Sequence, residues 1–187
     1  MFGVTLVYLV QHGEKERSPG DPGLTELGRL QAERTGQWLY SMGVRSLWTS
    51  PLRRACETAA CIASVTGLVV RPDARLRERL NWDGDMSFDA FLALWAASTQ
   101  DRHLAPGGGE SSRQAAARLR AFLAGLSSEL GPVAAVTHGG VTTDVLRDLL
   151  GDDDVPPDVL NAGIPPCAVT LVDGASVLII ASTAHLT

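Results

Sequence analysis

Residues 4–14 read VTLVYLVQHGE, an apolar run from Val4 to Val10 followed by Gln11, His12, Gly13 and Glu14. A run this rich in Val and Leu, without polar alternation, suits a strand covered on both faces, as in a parallel sheet flanked by helices. It has no basic lead and no small-residue cleavage site, and it is too short to cross a bilayer. Neither a signal peptide nor a membrane anchor is expected, and a cytoplasmic location fits.

Outward from that strand, residues 13–24 (GEKERSPGDPGL) are polar and rich in Pro and Gly, so they read as loop. Thr25 offers an N-cap to a helix with Leu27, Leu30, Trp38, Leu39 and Met42 near helical spacing, closed by Gly43. A short strand, Ser46 to Thr49, comes next. Ser50-Pro51 then reads as an N-cap with proline at the first helical position, and Leu52, Cys56, Ala59, Ala60 and Ala63 carry that helix to Gly67. Leu68 to Val70 is a third strand, and residues 71–86 are charged and irregular. Ser87 begins a helix with Phe88, Phe91, Leu92 and Trp95 on one face. After the Gly107-Gly108-Gly109 lead-in, Ser111-Ser-Arg-Gln114 fits a capping box for a helix with Ala115, Leu119, Phe122, Leu123, Leu126 and Leu130 inward.

Val133 to Val136 is a fourth strand, followed by His138-Gly139-Gly140 and a helix ending at Gly151. Residues 152–166 are acidic, proline-rich loop. CAVTLV, a Asp173-Gly174 turn and SVLIIAS close the chain as a hairpin. Strands alternating with helices predict an α/β fold: a three-layer α/β/α sandwich on a mostly parallel sheet, with antiparallel strands added late. No linker or repeat divides residues 1–187, so one domain is expected.

The chain has 187 residues, 45% of them hydrophobic, and a formal charge of −5 from 16 basic and 21 acidic residues. Disorder and coiled coil are excluded by composition, and nucleic acid or an anionic membrane surface is not an expected partner. A bound anion must be held by local groups against the global field. Cys56, Cys61 and Cys167 lack C-x-x-C spacing and read as reduced thiols. No pair of histidines has ligand spacing, so no metal site and no cofactor is expected. The Gly-rich stretch at 107–109 lacks the Lys-Ser/Thr of a phosphate-cradling loop.

Open α/β sheets bind ligands beyond the carboxyl ends of their strands. There lie Gln11-His12-Gly13, Ser50-Pro51-Leu52-Arg53-Arg54 and His138-Gly139-Gly140. Glycine lets backbone approach a ligand closely, and helix N-termini offer free N–H groups to anions. The set describes a pocket for a phosphoryl group, in which one imidazole attacks while another, a guanidinium and helix-start amides hold the oxygens. A single histidine after a strand is usually structural; two in the same His-Gly context at equivalent junctions point to function. Arg53 reads as an ordinary solvated residue, and His103 and His185 as exposed bystanders.

LVYLVQHGE, LTELGRLQA, TSPLRRACETA, LRER and VTHGG, in this order, resemble the histidine phosphatase superfamily, the phosphoglycerate mutase-like fold. The resemblance runs from Leu6 to about Val141, with a weaker echo in NAGIPPCAVTLV. It implies that His12 is the nucleophile that becomes phosphorylated, that Arg54 binds the phosphoryl group, and that His138 stabilises it in transfer. Glu78 matches the acid that protonates the leaving oxygen, and Gln11, Gly13 and Gly139 join the phosphate-binding set. The alternative for Glu78 is a surface ion-pair residue between Arg77 and Arg79.

The departures matter as much. Gln11 stands where the family motif has arginine, which exchanges a charged two-pronged donor for one neutral amide. The following loop reads EKERSPG in place of the family's Thr and Asn, leaving Lys15 or Arg17 to restore positive charge. The stretch after Glu78 is shortened to RLNWDGD, and the chain lacks the insertions of the cofactor-dependent mutases. A metal-independent phosphatase acting on a small phosphomonoester is therefore the leading expectation. A weakened phosphoryl-binding protein and, further behind, a mutase are the alternatives.

Overall fold

The computed structural model describes residues 5–107 and 109–187; the expected strand start at Val4 and the central Gly108 of the glycine run lie outside them. Six strands form one sheet: β1 (Leu6–Gln11), β2 (Ser46–Thr49), β3 (Val70–Pro72), β4 (Val133–Thr137), β5 (Val169–Asp173) and β6 (Ser176–Ser182). Their order is β3-β2-β4-β1-β5-β6. The β3-β2-β4-β1 half is parallel, and β5 and β6 add antiparallel at one edge.

Among the described residues six α-helices accompany them: α1 (Glu26–Ser41), α2 (Arg53–Thr66), α3 (Phe88–Gln100), α4 (Ser112–Ala124), α5 (Gly139–Leu150) and the short α6 (Pro157–Asn161). The sandwich follows from the pleat. Tyr8, Val10, Ala134 and Val136 point to one face and pack with Leu39, Ala55, Ala59 and Ile62 of α1 and α2. Val7, Leu9, Val133 and Ala135 point to the other and pack with Leu119, Phe122, Val141 and Val145 of α4 and α5. Alternation thus exists in strands that are apolar throughout, because both faces are covered.

Thr25 caps α1 through Gly28 N–H, and Ser111 with Gln114 completes the capping box of α4. Other expectations are corrected. In α1, Leu27 and Leu30 are exposed, as is Met42 just past its end, while Gly28, Ala32, Thr35, Gly36 and Leu39 are buried. The face is chosen by close approach: a Cβ on Gly36 would stand 3.1 Å from Ile62 Cα of α2. In α2 the buried positions are Arg54, Ala55, Thr58, Ala59 and Ile62; of the others read as carrying the helix, Cys56 and Ala63 are half-buried and Ala60 is exposed. β3 begins only at Val70, after a left-handed turn at Gly67. α4 stops at Ala124, so Leu126 is buried from outside the helix and Leu130 is 96% exposed. His185 is no exposed bystander: it stacks on Trp38 at 5.0 Å and bonds Thr35 Oγ1 at 3.0 Å. His103 is exposed as expected.

Candidate active site

Sheet register brings the site together. β1 and β4 are adjacent and parallel, with Gln11 opposite Thr137, so His12 and His138 leave the sheet at the same height. β2 lies on the other side of β4 with Thr49 opposite Val136, which sets Ser50 beside them. The two imidazole centroids are 5.3 Å apart at an interplanar angle of 59°. Residues 126 positions apart in sequence thus face each other because neighbouring strands stand about 4.8 Å apart.

His12 is locked. Its Nδ1 lies 2.8 Å from the Gly13 carbonyl, which can only accept, so Nδ1 carries the proton and Nε2 holds a lone pair. Burial, then the Arg54 guanidinium, push its pKa down to about 3, so the ring is neutral at ordinary pH. Gly13 is itself fixed: its N–H donates to Thr58 Oγ1 at 3.0 Å, and a Cβ there would meet the Gly28 carbonyl oxygen at 2.5 Å. Only glycine fits this contact between the motif and α1.

His138 is fully buried, with its pKa lowered by burial and then by Arg54. Its Nε2 meets Ser50 Oγ at 2.7 Å, and that oxygen accepts the Leu52 N–H at 3.3 Å. The arrangement that satisfies the buried hydroxyl has it donating to Nε2. His138 Nδ1–H then remains a buried donor without a partner among the described residues. Ser50 therefore does not cap α2, which begins at Arg53 without a side-chain cap of its own. The Asp21 carboxylate reaches over from the 13–24 loop and accepts the Arg53 N–H at 2.9 Å.

Arg54 is 3% exposed, and its Nε and Nη1 have no hydrogen-bond partner among the described residues. Its nearest counter-charge is Asp21 Oδ1, 3.6 Å from Nη1. A buried guanidinium left this open keeps donors free for an anion. Arg53, the residue before it, is exposed and pairs with Glu57 at 2.8 Å. Lys15 is half-buried and lines the same cavity as His12 and Arg54; burial, then Arg54, lower its pKa. Arg17 is exposed at the rim.

Glu78 is not the surface ion-pair residue that its flanking arginines suggest. Arg77 pairs with Glu110 at 3.0 Å and Arg79 with buried Asp144 at 3.0 Å. The Glu78 carboxylate instead sits on the first turn of α5, where Oε2 accepts Gly140 N–H at 2.9 Å and Oε1 accepts Val141 N–H at 3.0 Å. The helix start favours an acidic group here. Thr137 Oγ1 donates to the Leu76 carbonyl at 2.8 Å, which ties this segment to the end of β4. A Cβ on Gly140 would lie 2.6 Å from Glu78 Oε1 and inside contact distance of Trp95, so the acid's seat requires glycine.

Gln11 places its amide Nε2 3.3 Å from His12 Nε2. Since that histidine nitrogen is the lone-pair site, the amide N–H donates to it, and Gln11 Oε1 stays buried without a partner. His12, Arg54, Lys15 and Glu78 line a cavity of about 290 Å³. Among the described residues, no group of three His, Cys, Asp or Glu side chains is placed to hold a metal ion.

Residues 7–176 match the histidine phosphatase superfamily, branch 1. The chain belongs to that superfamily. Among its relatives is the glucosyl-3-phosphoglycerate phosphatase of Mycobacterium tuberculosis, 34% identical over 167 residues, which span 76% of this chain and 74% of that one. The mycobacterial glucosyl-3-phosphoglycerate phosphatase solved with inorganic phosphate superposes with a TM-score of 0.79 at 29% identity, covering 98% of this chain and all of that one. A probable phosphoglycerate mutase, GpmB, of Photorhabdus laumondii is 36% identical over 135 residues, 63% of this chain and 60% of that protein. These are enzymes of one phosphatase and phosphoglycerate mutase-like class.

For this superfamily member, sequence reasoning placed His12, Arg54, Glu78, His138, Gln11, Gly13 and Gly139, and the structure brings all of them to one end of the sheet. It missed Ser50 and Thr58. Ser50 had a signal, since it too follows a strand at the ligand-binding edge. Thr58 had none, because one helical turn from Arg54 says nothing of what lies across the gap.

Proposed function

We propose that the chain is a metal-independent phosphomonoesterase that forms a phosphohistidine at His12 and hydrolyses it. The observation that carries this reading is the His12 lock: Nδ1–H held by the Gly13 carbonyl leaves the Nε2 lone pair facing a second imidazole and an unpartnered guanidinium. In the first step Nε2 attacks phosphorus and the P–O ester bond breaks. Arg54 and His138 Nδ1–H receive the charge spread over the phosphoryl oxygens, where preorganised donors give most of the acceleration. Glu78 delivers a proton to the leaving oxygen at Oε2, which accepts one N–H and has a lone pair to spare. Water then attacks phosphorus on the opposite side, Glu78 takes its proton, and the P–N bond breaks to release phosphate and neutral His12. The site acts on a small phosphorylated substrate within one domain spanning residues 1–187. The three free cysteines fit a cytoplasmic setting, and no helix among the described residues is long and apolar enough to cross a membrane.

A second reading is favoured by one contact. The Gln11 amide occupies the His12 lone pair, and arginine's charge is missing, as in a phosphoryl-binding protein with weakened turnover. The deciding experiment is acid quenching during turnover of an aryl phosphate in EDTA, followed by mass analysis. A phosphorylated His12 peptide, absent from His12→Ala, is expected. Phosphate binding without any covalent intermediate would favour the second reading.

A further inference from the structure

α3 carries Phe88, Phe91, Leu92 and Trp95 at helical spacing, yet Phe88 is 51% exposed, and Ser98 alone among the helix's residues is buried. The face is apolar without belonging to the core. It forms, with Trp82, one wall of the cavity that holds His12 and Arg54. The rings follow one another as a ladder, Trp82 to Phe88 at 5.1 Å, Phe88 to Phe91 at 6.2 Å and Phe91 to Trp95 at 6.1 Å between centroids. Its inner end is fixed where Arg79 lies 4.1 Å over the Trp95 ring beside Glu78. Its outer end is fixed by Trp82 Nε1–H, which donates to the Met86 carbonyl at 2.8 Å, and by the Trp82 carbonyl, which accepts Gly20 N–H at 2.8 Å. Through the shared His12, Lys15, Trp82 and Phe88 the cavity joins a cleft of about 790 Å³.

The polar supply in the same wall is small. The Asn81 amide already donates to the Gly20 carbonyl; Lys15 and Ser18 lie in the cavity, and Glu14 and Arg17 line only the outer cleft. A flat apolar group stacked on these rings removes both surfaces from water, a gain that hydroxyls or carboxylates over the same rings do not give.

We propose that the preferred substrate is a phosphomonoester whose alcohol bears an aryl or arylalkyl group, stacked on Trp82 and Phe88 while the phosphoryl group sits between His12 and Arg54. The proposal rests on the phosphoryl site assigned above, and it separates this chain from its relative named for glucosyl-3-phosphoglycerate. Trp82 and Phe88 become specificity-determining residues. The test has a binding arm that needs no turnover: 3-phenylpropylphosphonate against 3-carboxypropylphosphonate by calorimetry. A parallel arm compares kcat/KM for 3-phenylpropyl phosphate and glycerol 3-phosphate, both primary-alcohol esters. The phenyl ligand is expected to bind at least tenfold tighter, with the same preference in kcat/KM, and Phe88→Ala to shrink both ratios several-fold. Phe88 is half in solvent, so its truncation leaves the core intact. Ratios near one, or ratios that Phe88→Ala leaves unchanged, overturn the proposal. Retained phosphonate discrimination with neither ester hydrolysed upholds the aryl wall and sinks only the hydrolytic reading. A dimer that Phe88→Ala dissociates without altering the ligand ratio also overturns it, since the ladder would then be a contact between copies.

Discussion

Replacing Arg54 with methionine should make the ligand-free protein more stable and the enzyme nearly inactive. The guanidinium is 3% exposed with two N–H-bearing nitrogens unpartnered, and its one ion-pair partner, Asp21, is 3.6 Å away and 43% exposed. Each orphaned buried donor costs about 1–3 kcal/mol, which attraction to Asp21 and Glu78 offsets in part. Methionine keeps much of the apolar stem and removes the unpaired charge, so a net gain of about 1–3 kcal/mol is expected. At this chain length that raises Tm by about 2–4 °C per kcal/mol. Catalysis moves the other way, because a lost donor to the transferring phosphoryl group costs about 3–4 kcal/mol, or roughly 10²–10³-fold in kcat/KM. Thermal melts with and without inorganic phosphate read both effects. Phosphate at about 100 times its Kd stabilises the wild type by about 2.7 kcal/mol, and it should leave Arg54→Met unmoved. A variant that melts below wild type without phosphate, yet keeps the phosphate-induced shift, refutes the assignment of Arg54 as the anion's unpaired partner.

Gln11→Arg restores a charged donor beside His12 and should raise kcat/KM on a generic phosphomonoester by roughly 30-fold or more; an unchanged rate shows that position 11 does not reach the phosphoryl group. Gly140→Ala must displace Trp95 or Glu78, so kcat should fall at least tenfold while phosphate binding at Arg54 persists, and normal turnover contradicts the seat described for Glu78. His12 has a folded pKa of about 3 against about 6.5 in the unfolded chain, so its contribution is complete above pH 6.5 and lost as pH falls toward 3, by about 1.4 kcal/mol per unit. His138, shifted in the same direction, adds to that slope. Urea midpoints at pH 7, 6 and 5 should therefore decline more steeply for wild type than for His12→Asn, and equal slopes would count against a buried neutral ring.

The strand that ends in His12 and the strand that ends in His138 were legible from apolar runs followed by His-Gly. So were both Ser and Thr caps that begin α1 and α4, whose signals lie within one helical turn. Helix faces were less legible. α1 buries Gly36 against α2 and Gly28 against the loop after β1, and leaves Leu27 and Leu30 in water, because close approach selects small residues over apolar ones. α3 shows the opposite case, in which a regular apolar face lines a ligand cavity instead of the core.

Ser50 and Glu78 mark the same boundary within the site. Ser-Pro after a strand reads locally as a helix cap, yet the hydroxyl serves a histidine 88 residues onward. For Glu78 the motif order pointed to the site while its flanking arginines left a surface pair as the alternative, and what settles its position is two amides 62 and 63 residues away. Periodicity and turn chemistry act over a few residues, so the chain alone determined which groups stand at strand ends and helix starts. The order of strands across the sheet, and hence which of those groups share a cavity, depends on contacts between distant segments. Only the packed structure decided that.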